Sequence, residues 1–275
     1  LGSPLRERVR PWGKAASLAI VIAMIYRAAA ASFILFVSCT TIGAAVASDV
    51  DDTQPVLVEL FTSQGCSDCP PADEILADLA RRTDVVALSF PVTYWDMLGW
   101  KDTLASVSNT NRQKAYAESL GRTGTYTPQM IVDGIEDVVG NKRHRVLSAV
   151  TRHYALRREA EPLLLEAAYS LQNLTIDISG SAPESFTADS AATIWVMRVL
   201  GHATVEIADG ENRDRMLAYT NVVRDIQVAG SWSGGEKTLR LPLGLDASAH
   251  DGVAIVVQGA NHGQVLAATL LKPSF

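Results

Sequence analysis

The chain has 275 residues, 48% of them hydrophobic and 20% charged, with a formal net charge of −6. That length supports one large or two modest cores. The acidic balance lacks the electrostatic footprint that a nucleic-acid partner requires.

Two charge-free apolar runs open the chain, at 15–26 and 28–48, with only Arg27 between them. The second ends in Ala45-Val46-Ala47-Ser48, the small-residue pattern of a signal cleavage site, and Asp49, Asp51 and Asp52 follow at once. Residues 1–47 are therefore expected to form a secretory leader, with 28–47 as its apolar core and cleavage region. Met24 offers a start that would leave residues 1–23 as an upstream extension of the reading frame. Three other readings stand beside this one. A transmembrane hairpin needs about 20 apolar residues per span, which the first run does not supply. The second run could stay uncleaved as an anchor, or Cys39 could be lipidated within an imperfect lipobox, Phe36-Val37-Ser38-Cys39. With a cleaved leader, no stable membrane span is expected. Residues 1–48 carry five Lys/Arg and one Glu, so the exported part is more acidic still, at −10.

Residues 56–61 form an apolar strand pattern interrupted by Glu59. A carboxyl on a central strand is costly to bury unless it is paired or protonated. Glu59 is read either as a proton acceptor for Cys69 or as a carboxylate that caps backbone or pairs with an arginine. Next comes Gly65-Cys66-Ser67-Asp68-Cys69-Pro70-Pro71, with an amphipathic helix pattern over 71–82 (Ala72, Ile75, Leu76, Leu79, Ala80). A strand, then C-x-x-C, then a helix is the layout of a thioredoxin-like redox site. With Cys39 removed, Cys66 and Cys69 can bond only with each other or with a partner. Cys66 is the expected nucleophile and Cys69 the resolving thiol. Asp68 places an anion beside both sulfurs, and Pro70 and Pro71 remove two N–H donors from the helix start. Both features disfavour the thiolate and predict a reducing couple. A structural disulfide is the competing reading, although so short a loop closes little entropy. Zinc would need four ligands, and the histidines at 144, 153, 202, 250 and 262 do not complete a site.

Further along, strand patterns fall at 85–90, 129–133 and 137–139, and helix patterns at 109–120 and 142–158. Trp95 and Trp100 lie in the loop between 90 and 109, either as a rim over the disulfide or as packing residues. Thr127-Pro128 enters the third strand, where thioredoxin-like proteins carry a cis-proline facing the disulfide. A cis bond there would let the Thr127 backbone pair with an extended substrate. The basic cluster Lys142-Arg143-His144-Arg145, with Arg152, Arg157 and Arg158, reads as the polar face of a helix. After residue 160 the helical signal fades. Eight short alternating runs follow, at 163–170, 174–178, 191–199, 203–207, 217–228, 238–241, 253–257 and 265–271. The expected fold class is an α/β thioredoxin-like domain (54–160) followed by an all-β sandwich-like domain (161–275).

Residues 58–73, Val-Glu-Leu-Phe-Thr-Ser-Gln-Gly-Cys-Ser-Asp-Cys-Pro-Pro-Ala-Asp, resemble the signature of a secreted bacterial thioredoxin-like family of uncharacterised function. Tyr94-Trp95-Asp96, Leu98-Gly99-Trp100, Arg112-Gln113, Tyr126-Thr127-Pro128-Gln129, Val132-Asp133-Gly134, Gly210-Glu211-Asn212 and Asn221-Val222-Val223-Arg224 carry the resemblance across roughly 54–270. It implies a thioredoxin-like fold and export, and no established substrate. Pro91 and Thr93 stand where such proteins often have His and Asp, so no proton-transfer or metal role is assigned to that loop.

The functional expectation is an exported thiol–disulfide oxidoreductase acting on a protein or small-molecule thiol or disulfide, without a cofactor. The alternative is a non-catalytic binding module with a structural disulfide. Metal handling by the reduced thiols is a third reading, and it lacks neighbouring Met or His ligands.

Overall fold

Strand β1 (Val56–Thr62) is buried along its whole length, as is β2 (Val85–Pro91), its parallel neighbour. Unbroken apolar runs of this kind belong in the interior of a sheet, covered on both faces. The computed structural model describes residues 53–161, 163–169, 173–183, 190–242 and 252–272. The expected leader, Met24 and Cys39 lie outside the described residues.

Beside β1 run β3 (Gln129–Val132) and β4 (Glu136–Val139), an antiparallel hairpin turning at Asp133-Gly134. On the other side of β2 lies β8 (Met216–Trp232), paired in parallel at Ser89↔Val222. Strands β7 (Ala192–Glu206), β10 (Gly252–Gln258) and β11 (Val265–Leu271) continue outward. The result is one eight-stranded mixed sheet in the order β11-β10-β7-β8-β2-β1-β3-β4. A second sheet of three strands, in the order β5-β6-β9, is built from β5 (Leu164–Tyr169), β6 (Asn173–Ser179) and β9 (Lys237–Pro242).

This overturns the expected fold class. An α/β thioredoxin-like domain followed by a separate all-β sandwich does not form. Eleven strands, three α-helices and one short 3-10 helix (Asp96–Leu98) make up the described elements, and the larger sheet runs through both halves of the chain. The reason lies in β2, whose two buried faces and two hydrogen-bonding edges need a neighbour on each side. The first half supplies only β1, and β8 from the second half supplies the other. The core follows the sheet: Leu57, Phe61, Leu88 and Phe90 pack in one cluster with Met197, Val223, Ala254 and Val256.

Three helices cover this sheet. α1 (Pro70–Leu79) and α3 (Arg143–Glu159) pack on the face carrying Val58, Leu60, Ala87 and Met130. α2 (Val107–Ser119) starts at Ser106, whose side chain accepts from the Asn109 N–H, and covers the opposite face through Tyr116. The small sheet closes over Ile194, Val196, Val253, Ile255 and Val257. The β7–β8 hairpin is longer than the sheet needs, and its tip, 207–215, reaches back to the segment between β1 and α1.

Candidate functional site

Cys66 and Cys69 are joined in a disulfide between the end of β1 and the first turn of α1. The loop turns tightly: the Cys66 N–H donates to the Ser63 carbonyl at 3.2 Å, and Cys69 N–H to the Cys66 carbonyl at 3.2 Å. The Cys69 carbonyl then accepts from Ala72 and Asp73, which starts the helix. Pro70 and Pro71 occupy its opening positions, and Cys69 contributes no side-chain cap. Ser67 and Asp68 are exposed, whereas Cys66 is 1% and Cys69 0% exposed.

The hairpin tip holds the backbone of this loop. Asn212, fully buried, donates through Nδ2 to the carbonyls of Gln64 and Cys66, each at 2.9 Å. Arg215 holds its Oδ1 at 2.7 Å, and Glu211 accepts from the Ser67 N–H at 3.2 Å. Asp102 braces the other side, accepting from the N–H groups of Gln64 and Leu104 at 2.8 Å and of Ala105 at 3.1 Å. Burial raises its pKa and outweighs those three hydrogen bonds. Trp100 donates to Gln64 Oε1 at 2.8 Å, and its Cβ lies 3.3 Å from where a Cβ on Gly210 would sit. Trp95 is equally close to Gly65, at 3.3 Å, so a larger residue there would displace the loop. Trp95 and Trp100 also pack against the core clusters of Phe61 and Tyr219 respectively, so of the two readings the structure gives packing, beside the disulfide loop.

The Thr127–Pro128 bond is cis, and the Pro128 Cβ approaches Gly140 near Ala72 and Leu60, beside the first turn of α1. Glu59 is elsewhere. Side chains alternate along β1, and Val58 and Leu60 face α1 while Leu57 and Phe61 face α2. Glu59 therefore points to the α2 face, away from the helix that carries Cys69. There it accepts from Arg112 Nε at 2.6 Å and from the Tyr116 hydroxyl. Arg112, 4% exposed, also reaches Gln258 at 3.0 Å, and its guanidinium lies 5.2 Å from the Trp195 ring centroid. Of the two readings of Glu59, this is the arginine-paired one.

The acid on the disulfide's side is Asp73, which sequence reasoning passed over. It lies one helical turn beyond Cys69 and is 7% exposed. Thr62 donates to its Oδ2 at 3.2 Å, while Oδ1 has no hydrogen-bond partner among the described residues. Burial pushes its pKa well above the usual carboxylate range, with Asp102 and Glu74 adding to the rise against the Thr62 hydrogen bond. Tyr219, also buried, has its phenol held protonated chiefly by burial and then by Asp73 and Asp102. A signal for Asp73 existed in the spacing: an acid at i+4 from Cys69 and three before Leu76 falls inside the apolar stripe.

Fold and site together define a mixed-sheet protein with a two-cysteine disulfide loop pinned under a β-hairpin. The chain belongs to the family described as Protein of unknown function (DUF1223), which it matches over residues 57–258. The expectation of an uncharacterised family stands in that form. A solved structure of a structural-genomics protein from Agrobacterium tumefaciens is 33% identical, covers 80% of this chain and 94% of its own, and superposes with a TM-score of 0.67. HBP35 of Porphyromonas gingivalis is 15% identical with a TM-score of 0.56, covering 80% of this chain and 75% of its own, a likeness of fold alone. No curated protein matches the chain.

Proposed function

We propose that Cys66 and Cys69 form an exported thiol–disulfide exchange couple. The observation that carries this reading is the disulfide at the start of α1 with the buried carboxyl of Asp73 one turn behind it, on the helix face shared with Cys69. A staple has no need of a proton-holding group at that depth. In the reducing direction, the Cys66 thiolate attacks a substrate disulfide, forms a mixed disulfide and expels one substrate thiolate. Cys69 loses its proton and attacks the Cys66 sulfur, which expels the second substrate thiolate. The substrate gains two electrons and two protons, and the protein is left as the disulfide. A dithiol reductant then returns the couple to its free form. On this reading Asp73, buried and four residues on from Cys69, is the group that exchanges the Cys69 proton in both directions. Export is supported by the leader pattern at 28–47 and by the closed disulfide, which persists in oxidising compartments.

One observation favours a second reading. Both cysteines are buried and the hairpin tip holds the loop that carries them, as expected if the disulfide only fixes a loop in a non-catalytic binding module. Mild reduction of the folded protein followed by alkylation and mass analysis separates the two. Exchange predicts labelling of both cysteines, insulin-disulfide reduction that Cys66→Ser abolishes, and a trapped mixed disulfide in Cys69→Ser. A bond that survives reductant until the protein unfolds, with no insulin reduction, establishes the binding module instead.

A further inference from the structure

Strand β4 is the outer strand of the large sheet, and among the described residues nothing pairs with its far side. The direction of its free backbone groups follows from the ladder. The Gly140 N–H donates to the Pro128 carbonyl at 2.9 Å, which makes 128/140 a hydrogen-bonded pair. In an antiparallel ladder such pairs alternate with pairs whose groups point away. With Met130 opposite Val138 and Val132 opposite Glu136, Val138 and Glu136 bond inward. Asp137 then presents its N–H and C=O outward and Val139 its N–H, while the Val139 carbonyl accepts from the Lys142 N–H at 3.0 Å.

These groups border a groove of about 820 Å³. Its floor is the whole of β4, and its walls are the 122–126 loop and the cationic face of α3, with His144, Arg145 and Arg152. Charge on an edge strand commonly guards it against pairing. Here that guard is withdrawn. The Asp137 side chain is 7% exposed and accepts from Arg122, from Tyr126 at 3.2 Å and from Gln129 at 3.1 Å. Glu136 is occupied by Arg152 and by His153 at 3.2 Å. Arg145 and His144 are exposed, and neither has an ion-pair partner among the described residues. With Arg122 and Arg152 paired to Asp137 and Glu136, this leaves Arg145 as an uncompensated cation among the described residues, with the His144 imidazole next to it, beside an open strand edge.

We infer that the β4 edge and the groove beside it bind an extended, acidic polypeptide segment of a partner protein by strand addition. The outward groups of Asp137 and Val139 bond its main chain, and Arg145 and His144 receive its carboxylates. Only two residues of β4 face outward, so main-chain bonding by itself is weak and the cationic wall supplies the selectivity.

The test is fluorescence anisotropy on the purified protein. The probe is a labelled peptide of about nine residues that alternates Val or Thr with Glu, against the same peptide with Lys in place of Glu. Saturable binding of the Glu peptide and none of the Lys peptide is expected, weakening as salt rises. Val139→Pro removes only an outward N–H, which an edge strand tolerates, and should weaken binding about three- to tenfold at unchanged melting temperature. Should Val139→Pro fail to fold, Glu peptides N-methylated at alternate amides make the same measurement on the unaltered protein. Arg145→Glu should weaken binding by about tenfold or more. The inference is overturned if neither peptide saturates or if both bind alike. Unchanged affinity for both Val139→Pro and the N-methylated peptides overturns it as well. Displacement of the Glu peptide by a single-stranded oligonucleotide, without dependence on Val139, would make the groove a general polyanion site and sink strand addition.

Discussion

Asn212 and Cys66 are 146 residues apart in sequence, yet the Asn212 side chain donates to the Cys66 carbonyl at 2.9 Å. Through that contact the second half of the chain holds the disulfide loop of the first. The same amide holds the Gln64 carbonyl, so the hairpin tip grips the loop on both sides of Gly65.

Asn212→Ala should therefore loosen the loop, leaving the Gln64 carbonyl without this partner and the Cys66 carbonyl with the Cys69 N–H alone. The expected cost is about 1–3 kcal/mol, a fall of several degrees in Tm. Alkylation of reduced Cys66 should speed up roughly tenfold, the equivalent of about 1.4 kcal/mol of protection. Thiol labelling rates on the folded variant check this, and an unchanged rate would mean that the tip does not control access.

Arg112 is the only cation on the fully buried Glu59 among the described residues. Arg112→Met leaves that carboxylate unpaired and is expected to cost about 3–5 kcal/mol in denaturant unfolding. The double variant Glu59→Leu with Arg112→Met should recover much of the loss. Per folded molecule, Glu59→Gln should keep exchange activity within about twofold, since its carboxyl faces away from α1. A large loss of activity would revive its proton-acceptor role.

Asp73 has a folded pKa above its unfolded value, so the acid form is favoured by folding. Its contribution to stability is fully present below about pH 3.9, the unfolded value, and is lost as pH rises through the folded pKa. Asp73→Asn should remove this decline. Denaturation midpoints of the two proteins at pH 4 and pH 8 should show the variant gaining on the parent at the higher pH. Parallel profiles would place the carboxyl in contact with water.

His153 sits between Asp133 Oδ2 at 3.3 Å and Glu136 Oε2 at 3.2 Å, tying α3 to the β3–β4 hairpin. Burial opposes its charging, but the two carboxylates prevail and raise its pKa. That stability is fully present below about pH 6.5 and lost as pH rises through the folded value. His153→Gln should cost on the order of 1 kcal/mol at pH 6 and markedly less at pH 9. Equal losses at both pH values would assign the residue a packing role only.

On the exchange reading, the missing N–H donors of Pro70 and Pro71 and the uncapped start of α1 leave a Cys66 thiolate poorly stabilised. The couple should titrate below about −200 mV against glutathione or dithiothreitol. A potential near about −120 mV, that of a dedicated oxidant, would contradict this.

Much of the site is legible in the amino-acid order. The buried run of β1, the C-x-x-C segment and the stripe of α1 are local, and each is read from spacing within a few residues. The stripe of α1 even contains Asp73, hidden because an acid in an apolar pattern reads as an interruption. Glu59 is visibly anomalous, but the strand's period gives only its distance from Cys66. Which face it occupies depends on where α1 and α2 settle.

The sequence by itself determined most of the strand and helix positions, that β1 is a buried strand, and that Cys66 and Cys69 lie close enough to bond, whereas the runs at 191–199 and 203–207, read as two strands, form the single strand β7. Only the tertiary structure decided that β8 joins β2, that Arg112 answers Glu59, and that Asn212 closes over Cys66. The physical reason is that side-chain periodicity records how much of an element is buried and on which face, whereas the groups along a strand's edge are the same in every residue. Those identical backbone groups carry no name for the partner they will bond, so the choice falls to the packing of the whole chain.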